Sequence, residues 1–126
     1  MRKLYICLGL VFMVALGVGL SSCYKDIITQ ADPDGPPQPV SFRDDLVPIF
    51  STNCALAGCH STGAHVPDLT PNKAYNALNN GIYVNTLIPK QSLLYEKING
   101  EMSTYIPSAI DKRKVFDWIR NGAPNN

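Results

Sequence analysis

The sequence predicts an all-α fold, and three observations predict it. Apolar residues recur at helical spacing in short runs: Leu46, Ile49 and Phe50; Ala74, Tyr75 and Leu78; Leu93, Leu94, Tyr95 and Ile98; Val115, Phe116 and Ile119. A serine or threonine stands ahead of each run and a glycine behind most of them, which is the punctuation of helix ends. No stretch alternates apolar with polar residues for long enough to make a strand. A chain of 126 residues without an internal repeat has room for one domain.

The N-terminal part reads as export and tether. Arg2 and Lys3 precede an apolar run from Leu4 to Leu20, and Ser21-Ser22 lead into Cys23. A basic start, an apolar middle and a small-residue cleavage site make residues 1–22 a secretory signal peptide. Leu20-Ser21-Ser22-Cys23 resembles the lipobox of bacterial lipoproteins, which implies cleavage before Cys23 and a diacylglycerol on its thiol. The alternatives are simple secretion and a retained anchor, for which the run stands at the short end of about 17–25 residues. Residues 23–40 are then a lipidated cysteine and a flexible tether. Pro33, Gly35, Pro36, Pro37 and Pro39, with Asp32 and Asp34 between them, give no face to bury and favour extended backbone. At about 3.1 Å per residue the tether reaches roughly 50 Å.

Residues 41–126 are the expected folded unit. Ser41-x-x-Asp44 has the form of a capping box. Pro48 fits only a first helical turn, so the first helix is expected to start near Asp44 or Asp45. Ser61 to Leu69 is a loop containing Gly63 and Pro67. Thr70-Pro71 caps the next stripe and Gly81 ends it. Ser92 opens a further helical segment closed by Gly100. Ser108-x-x-Asp111 caps the last helix, where Trp118 flanks the apolar stripe and Gly122 stops it. Phe50, Tyr75, Tyr95, Tyr105, Phe116 and Trp118 are expected mostly in the core, and Arg113 and Arg120 on the solvated face of the last helix. Eleven basic residues against ten acidic ones give no hint of nucleic-acid binding, and loss of Arg2 and Lys3 with the signal keeps the mature chain near neutral.

The chemistry lies in Cys54-Ala55-Leu56-Ala57-Gly58-Cys59-His60. This Cys-x4-Cys-His run is a stretched form of the Cys-x-x-Cys-His signal for covalent haem attachment. Two thiols add across two vinyl groups, and the adjacent imidazole reaches the iron from one face. On an α-helix, positions five apart differ by roughly 140° in azimuth, so the segment between the thiols has to bulge. Ala55, Ala57 and Gly58 are small, and Gly58 tolerates positive φ. With Cys7 removed in the signal and Cys23 lipidated, Cys54 and Cys59 are the remaining thiols among the four cysteines.

The motif, together with Pro48-Ile49-Phe50, Ser92-Leu93-Leu94-Tyr95 and the Trp118-Ile119-Arg120-Asn121-Gly122-Ala123-Pro124-Asn125-Asn126 ending, resembles exported cytochrome c-like lipoproteins of bacteria. The resemblance implies a small helical domain around one haem c, bound through Cys54 and Cys59, with His60 as the proximal iron ligand. It places the distal ligand at Met102, the single methionine left after Met1 and Met13 depart with the signal. The family often has proline after that methionine, whereas Ser103 follows here. Tyr95 or Tyr105 is a candidate partner for a propionate. The implied activity is extracytoplasmic electron transfer by a membrane-tethered carrier to redox partner proteins; turnover of a substrate is not implied. A buried haem would also complete a core that is marginal at this size. Three alternatives stay open: a non-haem structural or binding lipoprotein stapled by a Cys54–Cys59 disulfide, a haem sensor or peroxidase-like protein with an open distal site, and a zinc site drawing on Cys54, Cys59, His60 and His65.

Overall fold

The computed structural model describes residues 35–126, and the signal peptide, Cys23 and the first part of the tether lie outside the described residues. Every regular element among the described residues is helical. A π-helical turn, Phe42–Leu46, runs into α1, Val47–Asn53. Then come α2, Ala74–Leu78, a 3-10 turn, Pro89–Gln91, α3, Leu93–Asn99, and α4, Ala109–Arg120. No helix among the described residues is long and apolar enough to cross a membrane.

The first helical segment starts earlier than the proline rule predicts. Ser41 is its N-cap, and its hydroxyl accepts from the Asp44 amide at 3.1 Å. The return bond of the expected box comes from Asp45, whose carboxylate accepts from the Ser41 amide at 3.0 Å. Pro48 is tolerated because, although the π-helical turn precedes it, it stands in the first turn of α1, where an amide donor is not needed for the α-helical ladder. Thr70 does not cap α2. Its hydroxyl is turned to Asp68, and α2 begins only at Ala74. Ser92 occupies the N-cap position of α3, but its buried hydroxyl is spent on Asn85, accepting from the amide at 2.8 Å and donating to the carbonyl at 3.2 Å. Ser108 caps α4 as predicted, accepting from the Asp111 amide at 3.2 Å.

The core is built around α4. Val115, Trp118 and Ile119 are fully buried, as are Leu46, Phe50 and Leu78. Phe42 brings the ring cluster together, with Trp118 at 5.1 Å and Tyr75 edge-on at 5.2 Å. Such ring pairs add about 0.5–1.5 kcal/mol each beyond the area they bury. The Trp118 indole donates to the Pro124 carbonyl at 2.8 Å, so its polar atom carries no burial penalty.

The chain on either side of this core is clasped. The Phe42 amide donates to the Asn126 side chain at 2.8 Å and the Arg43 amide to the Asn126 carbonyl at 2.9 Å. Residues 35–40, expected as free tether, lie against α4. Val40 is buried in the core, and the Asn121 side chain donates to the Gln38 carbonyl at 2.7 Å. Arg113 and Arg120 are therefore only partly exposed. Both pair with the buried carboxylate of Asp117, at 2.8 and 3.3 Å, and both donate to the Gly35 carbonyl, at 3.2 and 2.7 Å. Asp117 also accepts from the Gln38 amide at 3.2 Å.

Candidate functional site

Short helices leave the core incompletely filled, and the gap is a cavity of about 430 Å³. That lies within the range of about 300–1,000 Å³ usual for small-molecule and cofactor sites. Apart from Tyr83, its walls come from two parts of the chain. One is the end of α1 and the loop after it, and the other is α3 with the turn that follows. Phe50, Leu69, Leu94 and Ile98 give it an apolar lining and belong to the buried core themselves.

The chain makes the expected bulge as a complete break. α1 ends at Asn53, and Cys54 is its C-cap. The amides of both Cys54 and Ala55 donate to the Phe50 carbonyl at 2.8 Å, which terminates the helix. Gly58 then adopts φ +78°, where a β-carbon is disfavoured. The His60 amide closes the loop onto the Cys54 carbonyl at 3.0 Å. Both cysteines line the cavity, and both are free thiols in this structure. Burial, with a smaller contribution from Cys59 nearby, pushes the Cys54 thiol up to about 11.

His60 is half-buried on the cavity wall, and its ring is oriented by the loop. Nδ1 lies 3.1 Å from the Pro67 carbonyl oxygen. A carbonyl can only accept, so Nδ1 is the donor, and in the neutral ring the lone pair then lies on Nε2. A hydrogen bond of this kind fixes the tautomer and raises the basicity of the ligating nitrogen. The main chain holds the same residue from the other side, where the Leu69 amide donates to the His60 carbonyl at 2.8 Å.

Met102 reaches the same cavity from the turn after α3, where its amide donates to the Lys97 carbonyl at 2.9 Å. The structure thus brings Cys54, Cys59, His60 and Met102 to one apolar space. His65 borders it too, exposed, with its amide donating to the Cys59 carbonyl at 2.8 Å. Among the described residues no group of three or more His, Cys, Asp or Glu side chains converges as a metal cluster. The zinc alternative needs such a cluster. A haem asks the protein for two axial ligands at most, and the donor set of two thiols, one tautomer-fixed imidazole and one thioether fits it chemically.

The tyrosine expectations divide. Tyr105 borders the cavity. Tyr95 does not, and stacks on Phe116 at 4.4 Å. Sequence reasoning missed Pro67, Tyr83, Lys97 and Glu101 as wall residues. The Lys97–Glu101 pair, 2.8 Å apart at i and i+4, was open to a charge-spacing reading. The role of the Pro67 carbonyl had no sequence signal, because it depends on how the loop returns to His60. No family model, curated protein or solved structure matches the chain.

Proposed function

We propose that this chain is an exported, membrane-tethered, single-haem c-type cytochrome that carries electrons outside the cytoplasm. The observation that supports the proposal is that Cys54, Cys59, His60 and Met102 line one apolar cavity. Cys54 and Cys59 would hold the porphyrin through thioether bonds. The His60 Nε2 lone pair is free to serve as the proximal ligand, and the Met102 thioether as the distal one. Bound there, a haem supplies a one-electron ferric/ferrous couple, and His/Met ligation raises its potential. The Pro67 carbonyl keeps the imidazole in the ligating tautomer. Phe50, Leu94 and Ile98 exclude water, which keeps the local dielectric low. Cys23 would anchor the chain through lipid.

Expression with a cytochrome c maturation system tests this directly. Haem should stay with the polypeptide through denaturation and acid-acetone extraction, and Cys54→Ala or Cys59→Ala should lower that retention. The protein should fractionate with membranes until Cys23 is replaced by serine. Protein from its native host with no covalent haem would sink the proposal.

A further inference from the structure

Two of the bonds that hold His60 come from residues that flank one position: the Pro67 carbonyl on Nδ1 and the Leu69 amide on the main-chain oxygen. Between those residues stands Asp68, which touches neither the ring nor the cavity. Its carboxylate is a knot. Oδ1 accepts from the Thr70 hydroxyl at 2.6 Å and the Thr70 amide at 3.1 Å. Oδ2 accepts from the Thr62 hydroxyl at 2.8 Å and pairs with Lys73 Nζ at 3.3 Å. Lys73 also donates to Thr62 at 3.3 Å. The carboxylate therefore ties the start of the loop after His60 to the turn that begins α2. These donors, the Thr70 hydroxyl foremost, hold its carboxyl well below the usual carboxylate range, so it stays an anionic acceptor at neutral pH.

We infer that Asp68 is a positioning residue for His60: by fixing residues 62–70 it holds the Pro67 carbonyl on Nδ1 and so sets the tautomer and orientation of the imidazole. The inference rests on the cytochrome reading for its functional meaning, since a proximal ligand has to present Nε2. The hydrogen-bond geometry itself does not depend on haem. An ordered loop keeps the carbonyl within reach, and a loosened one lets the ring bind water through either nitrogen.

The test uses the full-length chain labelled with ¹⁵N, prepared both with and without haem. In the haem-free protein, ring-nitrogen shifts report the His60 tautomer. Wild type should hold Nδ1–H almost entirely. Asp68→Ala should change the tautomer ratio about tenfold, the worth of one ordinary hydrogen bond. Thr62→Val should move it in the same direction by less, and gives a second measurement if Asp68→Ala does not fold. In haem-loaded protein, Asp68→Ala should raise the reduction potential, because an imidazole whose Nδ1–H has lost its carbonyl acceptor is a weaker donor and would stabilise ferric iron less. A Thr→Val change at Thr86, exposed and outside both the knot and the cavity wall, should leave both readouts where they were. Unchanged His60 ring shifts in the folded variants would overturn the inference. Failure of wild type to take up haem at all would instead overturn the cytochrome reading, and leaves the tautomer measurement intact as the test of Asp68.

Discussion

Cys54 should be a slow nucleophile for a physical reason that can be measured. Partial burial opposes the thiolate, and the neighbouring Cys59 adds to the effect, so the Cys54 thiol is raised from an ordinary 9.0 to about 11. At pH 8 about one molecule in a thousand then carries the thiolate, against about one in ten for an unshifted thiol, a deficit of about a hundredfold. Intrinsic nucleophilicity rises with pKa, with a slope of about 0.4–0.5, and returns about six- to tenfold. The net expectation is alkylation slower by about ten- to fifteenfold before any steric shielding. The assay is timed iodoacetamide labelling of haem-free protein, with Cys54 followed by peptide mass spectrometry. Folded protein is compared with the same protein in urea. The shift is upward, so the folded thiol stays neutral through the pH range where the unfolded one ionises. The folded rate should therefore keep climbing by about tenfold per pH unit above pH 9, where the rate in urea flattens. A folded profile that levels off near pH 9, or equal rates at pH 8, would refute the account of burial at the cavity wall.

Asp117→Ala leaves two arginines facing a buried void, and removing one partner of a buried pair costs about 3–5 kcal/mol. Thermal unfolding should show a fall in Tm of roughly 12 °C or more at about 4–8 °C per kcal/mol for a domain of this size; a fall of under 4 °C would show that the cluster does not secure residues 35–40. Met102→Ala in haem-loaded protein should abolish the weak far-red band of ferric thioether ligation, lower the potential and open the site to carbon monoxide. Unchanged spectra would shift the site toward the sensor or peroxidase-like alternative.

The helical stripes were legible because they need only local periodicity. Val115, Phe116, Trp118 and Ile119 are all buried, and the Ser108 cap forms where the spacing puts it. Caps that compete with partners in the preceding loop were not legible. Thr70 and Ser92 carry the right side chains in the right places, yet both hydroxyls are taken within the loops that lead into the helices, by Asp68 two residues back and by Asn85 seven residues back. The same limit applies to the site. Cys54, Cys59 and His60 announce themselves by spacing, and Met102 enters only through the resemblance to cytochrome c-like lipoproteins. Pro67 and Asp68 act through a loop that returns on itself, and neither composition nor periodicity encodes that return. Arg113 and Arg120 were misread for a related reason. At i and i+3 or i+4 from Asp117 they have the spacing of a surface ion pair, and only the docking of residues 35–40 across α4 buries the carboxylate between them.

That docking changes what the proline-rich segment can do. Proline-rich composition was expected to give reach, and for residues 35–40 it gives attachment. Prolines 36, 37 and 39 fix an extended backbone whose carbonyls are not used up in a helix or sheet. Extended carbonyls are what two arginines and an asparagine side chain need, and the Gly35, Pro36 and Gln38 oxygens accept from them. Pre-set backbone lowers the entropy lost on docking, so a few charge-assisted bonds suffice to hold the strap. At about 3.1 Å per residue, the docked residues withdraw roughly 19 Å from the reach predicted for a free tether. The chain also leaves the domain at a fixed place on α4 and not from a swivelling linker. If Cys23 is the lipid anchor proposed here, the docked strap restricts the angles at which the cavity meets a partner. Loss of Asp117 would then restore reach and rotational freedom as well as reduce stability.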